Sequence, residues 1–229
     1  MAISTVVFDA YGTLFDVSAA ARAVASEPGR DGFAAVWPEL SAHWRAKQLQ
    51  YTWLRAVTGE HADFWTVTQD GLDWALEAVG QAGDAGLREA LLGLYWKLAA
   101  YPEVPAMLAA LKAAGADTAI LSNGSPEMLA GAVDSAGIGG DLDAVLSVEA
   151  VGIFKPAPQV YDMVGDRFGV GRDAVLFVSS NGWDAASAAS YGFRTLWVNR
   201  ADEPVDRLPG RPDRIARDLT GVPGLVAAS

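Results

Sequence analysis

Asp9 stands where a run of strand-forming residues, Val6-Val7-Phe8, comes to an end, and Ala10, Tyr11, Gly12 and Thr13 follow it. Glycine permits a tight turn and close backbone approach, and free amides in such a loop hold anions. A carboxylate beside an anion-holding loop has the makings of a nucleophile for a negatively charged substrate. An Asp at a strand end also serves as a turn former or helix cap, so Asp9 by itself leaves both uses open. Other reactive side chains recur at comparable places. Ser122 and Asn123, then Ser179, Asn181 and Asp184, each follow an apolar run, and Lys155 precedes Pro156 ahead of an amphipathic segment.

The elements that must position these groups are legible as an alternation. Short apolar runs at 4–9, 117–125, 143–148, 174–181 and 194–200 each end in polar residues. Amphipathic segments at 102–115, 125–137 and 158–169 lie between them; the second and third open on a Ser or Pro start signal, and all three stop at Gly. Strands buried on both faces and alternating with helices predict an α/β fold with a doubly wound parallel sheet. In such sheets functional groups gather at the carboxyl ends of the strands, where Asp9, Ser122, Asn123, Ser179, Asn181 and Asp184 all fall.

Residues 16–99 break the alternation. They contain no convincing strand and hold six of the eight tryptophans. The expectation is a helical domain inserted into a core formed by 1–15 and 100–229, packed over the sheet's functional edge. Its clearest helix runs from Pro38 to about Val57, with Trp37, Leu40, Trp44, Tyr51 and Leu54 as one apolar stripe. Arg45, Leu49 and Trp53 lie on another face, which predicts a sandwiched helix and an anionic partner for Arg45. The segment 201–214 is expected to be a surface loop and 223–229 a fraying terminus.

Composition narrows the function. Half of the 229 residues are hydrophobic and a fifth charged, which is globular composition. A net charge of −11 makes nucleic acid and anionic membrane surfaces poor partners, so an anionic substrate needs a local cationic pocket. The chain has no cysteine, which excludes disulfides, thiolate nucleophiles and thiolate metal sites. The N-terminus leads straight into a strand, without a basic region or a long apolar segment, and the expected location is cytoplasmic.

Together the stretches FDAYGTLFDV, LSNGSP, FKPAPQVY and FVSSNGWD resemble, in order, the motifs of the haloacid dehalogenase superfamily. WRAKQLQYTWLR resembles the arginine-bearing helix of its L-2-haloacid dehalogenase branch. The resemblance spans nearly the whole chain and implies a Rossmann-like core with a helical cap. The superfamily's phosphatases place a second Asp two residues after the nucleophile and carry acidic magnesium ligands after the fourth strand. Tyr11 stands in the first place here, and Ser179-Ser180-Asn181-Gly182-Trp183-Asp184 offers one carboxylate in the second. Asp9 and Asp184 are a thin ligand set for magnesium, so the expected site has no metal and no cofactor.

What the resemblance implies is hydrolysis of short L-2-haloalkanoic acids to 2-hydroxy acids, with inversion. Asp9 attacks C2 and becomes an ester. Arg45 and Asn181, with Phe64 and Trp183, receive the halide, and Leu49 lines the pocket on the Arg45 helix. Ser122, Asn123 and the amides of Ala10 and Tyr11 hold the substrate carboxylate. Lys155 keeps Asp9 ionised and oriented, supported by Thr13 and Ser179. Asp184 activates the water that cleaves the ester, and Tyr161 belongs to the same pocket. Electrostatics makes these cations necessary: two unit charges at ~4 Å repel by about 4 kcal/mol at an effective dielectric near 20, roughly a thousandfold in rate. A homodimer is the expected assembly. A magnesium-dependent phosphatase and a non-catalytic binding protein on this fold are the alternatives.

Overall fold

Short runs of β-branched and aromatic residues do form the sheet. The computed structural model describes residues 2–228. In chain order the elements are β1 (Thr5–Phe8), α1 (Ala19–Ala25), α2 (Asp31–Ala34), α3 (Trp37–Thr58), α4 (Phe64–Ala78), α5 (Ala85–Tyr95), α6 (Val104–Ala113), β2 (Asp117–Ser122) and α7 (Pro126–Ala136). There follow β3 (Ala144–Ser147), α8 (Pro158–Phe168), β4 (Val175–Ser179), α9 (Gly182–Tyr191), β5 (Arg194–Val198), β6 (Arg214–Ala216) and α10 (Val222–Ala227).

The six strands are parallel and lie in the order β3-β2-β1-β4-β5-β6. Val6 faces Thr118 on one side and Leu176 on the other, and Val6, Val7 and Phe8 are wholly buried. From β1 the chain builds outward to β3, then returns to lay β4 on the opposite flank. The direction of winding therefore reverses at β1–β4, and the crevice at their carboxyl ends is where an open sheet of this kind holds a ligand. Two of the predicted amphipathic helices end as expected: α7 and α8 are closed by Gly137 and Gly169 in the left-handed conformation.

Five helices, α1 to α5, occupy the interval between Phe15 and Leu98, and among the described residues it contains no strand. Pro38 sits in the first turn of α3, and Gly59 at φ +76° closes it. The buried face of α3 differs from the predicted one. It consists of Leu40, Trp44, Gln48 and Thr52, whereas Leu54 is 53% exposed and Trp53 lies at the surface. The reason is hydrogen bonding. Gln48 and Thr52 both find internal partners, and a satisfied polar side chain can occupy a buried position that apolarity alone would not assign to it.

The C-terminal segment also departs from expectation. Residues 201–213 are irregular, but Arg214–Ala216 forms the edge strand β6, and α10 packs against α6. Leu219 and Val222 are completely buried. A three-residue strand and a helix carrying Pro223 and Gly224 leave no periodic signal in the sequence. Leu219→Ala is expected to lower stability by about 2–5 kcal/mol in urea unfolding. A loss below ~0.5 kcal/mol would show that the segment contributes no packing.

Candidate active site

The turn after β1 aims Asp9 at the crevice. The Ala10 carbonyl accepts from the amides of Thr13, Leu14 and Phe15 at 3.2, 2.9 and 3.1 Å, and the Gly12 amide donates to Phe15 at 2.7 Å. This curl needs φ +87° at residue 12, a conformation that suits glycine. Neither the Ala10 nor the Tyr11 amide donates in these turn bonds. The Asp9 amide is tied to the Val178 carbonyl of β4 at 2.9 Å, so the carboxylate is held between two central strands.

Both carboxylate oxygens of Asp9 are engaged by donors. Oδ1 accepts from Lys155 Nζ at 3.1 Å; Oδ2 accepts from the Thr13 hydroxyl at 3.0 Å and from Asn181 Nδ2 at 2.9 Å. The Ser180 amide donates to Thr13 Oγ1 at 2.8 Å, and the Ser180 hydroxyl oxygen lies 3.1 Å from the same atom. Lys155 is 1% exposed, and its Nζ also reaches Asp184 Oδ2 at 2.8 Å. Asp184 is fully buried and accepts from the Tyr161 hydroxyl on Oδ1 at 2.7 Å. Burial works against the Lys155 charge, yet Asp184 and Asp9 outweigh it and hold the ammonium above its ordinary range. Burial raises Asp184, with Lys155 opposing and Asp9 reinforcing; the net direction is upward.

Opposite this chain of charges, α3 delivers Arg45. Its guanidinium donates to Asn181 Oδ1 at 3.0 Å and to Gln48 Oε1 at 2.8 Å, so both acceptors are neutral amides rather than the anionic partner that the sequence suggested. Tyr11 is 3% exposed and packs against Tyr95 and Phe64, with ring centroids 5.6 and 5.7 Å apart. Its hydroxyl and the indole N–H of Trp183 are buried donors with no acceptor among the described residues. Burial, then Tyr95 and Asp9, push the Tyr11 phenol well above its ordinary range against the pull of Arg45, so it stays neutral.

Most of the predicted residues come together here, with some changes of duty. Asn123 Oδ1 accepts from the Lys155 amide at 2.9 Å, which leaves its Nδ2 donor for an anion. Ser122 Oγ accepts from the Gly124 amide at 3.1 Å and shapes that loop. Ser179 Oγ accepts from the Asn181 amide at 3.1 Å, so it steadies Asn181 rather than Lys155 or Asp9 directly. Tyr161 donates its hydroxyl to Asp184 and packs among Phe177, Tyr191 and Phe193, so it supports Asp184 directly. Leu49 is half-buried one turn beyond Arg45, and Trp183 stands edge-on to Trp53 with centroids 5.4 Å apart.

A family model described as haloacid dehalogenase-like hydrolase matches residues 3–192. The chain is 46% identical over 202 residues to (S)-2-haloacid dehalogenase 1 of Pseudomonas sp. strain CBS-3, covering 88% of this chain and 87% of that one. It is 42% identical over 221 residues to the (S)-2-haloacid dehalogenase of Pseudomonas sp. strain YL, covering 96% and 93%. This chain belongs to the (S)-2-haloacid dehalogenase family. Among solved structures, the family's L-2-haloacid dehalogenase from Xanthobacter autotrophicus, with chloropropionic acid covalently bound, superposes with a TM-score of 0.86 at 37% identity, covering 98% of both chains.

Three contributors were invisible in the sequence. Gln48, Thr68 and Tyr95 form a buried polar cluster behind Arg45; Gln48 stands inside the stretch WRAKQLQYTWLR without being singled out by it, and Thr68 and Tyr95 lie outside every motif. The only signal was positional: Gln48 lies between Trp44 and Thr52 at helical spacing. Among the described residues, no group of three or more His, Cys, Asp or Glu is placed to hold a metal ion.

Lys155 carries a linked prediction. Because its folded pKa is raised above the ordinary 10.5, its stabilising effect is complete below that pH and is lost as pH rises through the folded value. Urea unfolding of the unaltered protein should therefore weaken above about pH 10.5. Lys155→Met, which strands two buried carboxylates, should cost about 3–5 kcal/mol at neutral pH and lose that alkaline slope. A variant with unchanged neutral stability would contradict this account.

Proposed function

We propose that this protein hydrolyses short L-2-haloalkanoic acids to 2-hydroxy acids with inversion at C2, through an ester on Asp9. The observation that carries this reading is the Asn181 side chain. It grips the Asp9 carboxylate with Nδ2 and the Arg45 guanidinium with Oδ1, so nucleophile and halide-receiving cation are held in one register. An Asp9 oxygen attacks C2, the C2–halogen bond breaks, and the halide leaves with the bonding pair toward Arg45. A halide needs no proton to depart, which suits a site where neutral Tyr11 stands two residues after the nucleophile. The substrate carboxylate lies against Asn123 Nδ2, the Ser122 loop and the amides of Ala10 and Tyr11. Phe64, Leu49 and Trp183 supply apolar walls that keep water from the halide.

In the second step water adds to the carboxyl carbon of the Asp9 ester. Asp184 receives one proton of the water, the acyl C–O bond of the ester breaks, and the hydroxy acid departs with the former Asp9 oxygen and the water's other proton, leaving the Asp9 carboxylate restored. A carboxyl whose pKa is raised is a better base than an ordinary aspartate, and Tyr161 and Lys155 keep it aimed. Helices between residues 16 and 99 serve as a cap domain over the core of 1–15 and 100–229, since α3 supplies Arg45 from above the crevice. No metal or cofactor enters this scheme.

A single turnover of L-2-chloropropionate in oxygen-18 water should place the label on Asp9 and leave the first equivalent of hydroxy acid unlabelled. Label in that first product would exclude the ester. Phosphate-ester hydrolysis that needs magnesium, without halide release from a panel of haloacids, would replace the reading by a phosphatase.

The working form in this reading is a cytoplasmic homodimer. Trp53, Leu54 and Val57 on α3 are 37%, 53% and 85% exposed, an apolar strip suited to a second copy. Sedimentation equilibrium is expected to give twice the chain mass, and a monomer at micromolar concentration would remove this part.

A further inference from the structure

Arg45 is oriented from behind by Gln48, three residues further along the same helix. Gln48 is 1% exposed, and every polar atom of its amide is used. Oε1 accepts from Arg45 at 2.8 Å, while Nε2 donates to the Thr68 hydroxyl at 2.8 Å and to the Tyr95 hydroxyl at 3.0 Å. Thr68 in turn donates to the Phe64 carbonyl at 2.7 Å, and its own carbonyl accepts from the Trp44 indole at 2.8 Å.

The direction of each proton is fixed. A guanidinium only donates, so Oε1 must face Arg45 and Nε2 must face Thr68. The Thr68 proton is committed to Phe64, so its oxygen must accept from Gln48. Turning the amide over would set a donor against a donor at one end and an acceptor against an acceptor at the other. The amide is locked, and with it the position of Arg45 relative to Phe64.

We propose that Gln48 is a positioning residue for the dehalogenation step, holding the Arg45 guanidinium toward the departing halide without neutralising its charge. The inference rests on the function proposed above. A carboxylate at residue 48 would orient Arg45 equally well, but it would also cancel the positive charge that the leaving halide meets. An apolar side chain would leave the charge and lose the aim. A neutral acceptor that is itself held in place does both jobs.

The test compares ester formation on Asp9, measured by rapid quench, in Gln48→Glu, Gln48→Met and Thr68→Val, with 2-chloro- and 2-bromopropionate. Loss of one hydrogen bond to a charged group predicts about a tenfold slower step in Gln48→Met. Gln48→Glu is expected to lose on the order of a hundredfold, because aim is kept and charge is lost. Both losses should be larger for chloride, the poorer leaving group, and bromide should become a weaker product inhibitor. Thr68→Val, near-isosteric and one bond further away, should show the same chloride-weighted pattern at smaller size. A merely structural Gln48 would lower the melting temperature and slow both substrates equally. Equal losses, or full ester formation in Gln48→Glu, would overturn the positioning role. Halide release and oxygen-18 labelling in the unaltered protein report separately on the reaction: their failure would remove the proposed function, and this inference with it.

Discussion

One ammonium group, buried between two carboxylates, sets the terms for the rest of the molecule. Lys155 Nζ lies 3.1 Å from Asp9 and 2.8 Å from Asp184, with almost no contact with water. Two carboxylates at such range repel by several kcal/mol even at an effective dielectric near 20, and burying either one alone costs several more. The arrangement is tolerable only if the three charges arrive together. They come from the end of β1, the loop after β3 and the first turn of α9, which are far apart in sequence. A parallel sheet that reverses its winding at β1–β4 brings those places to one edge, so sheet topology here follows from an electrostatic requirement as much as from hydrophobic burial.

Arg45 solves the opposite problem. Lys155 is buried and paired with two carboxylates, whereas the half-buried Arg45 meets no carboxylate and keeps its charge. The first is given two carboxylates and the second two amide oxygens. Asp9, Asp184, Lys155 and Arg45 together carry no net charge, in a protein whose whole field is negative. A monoanionic substrate therefore meets a local balance instead of the repulsion of the surface, and the half-buried guanidinium is the positive end of that balance.

How much of this was readable from sequence depends on the range of the interactions. Five of the six strands and the placing of Asp9, Asn181 and Asp184 at strand ends follow from local pattern: apolar runs that stop at polar residues, helices that stop at glycine. Gln48 was not readable, because its burial depends on Thr68 and Tyr95, twenty and forty-seven residues away. For the same reason Leu54 was assigned to the buried stripe of α3 and lies outside it. The hydrogen bonds of Ser179 to the Asn181 amide and of Tyr161 to Asp184 are not legible either, since a motif fixes where a residue stands and not which hydrogen bond it makes. The edge strand β6 and the helix α10 are too short for periodicity to register.

Tyr11 shows how tertiary packing turns a substitution in a motif into chemistry. A carboxylic acid two residues after Asp9 would offer a proton to a leaving oxygen. Tyr11 is a phenol whose pKa is driven further up by burial, so it neither gives nor takes a proton near neutral pH. It is also fixed in place. A Cβ on Gly124 would stand 2.7 Å from its ring and 2.9 Å from its hydroxyl, so the loop after β2 is glycine where the ring presses on it. The ring fills the space an acid would need and stacks on Tyr95, which touches Gln48, which holds Arg45. The phenol in the turn after Asp9 and the guanidinium on α3 are thus two ends of one packed assembly. A leaving group that departs as an anion needs the guanidinium and has no use for an acid in the turn.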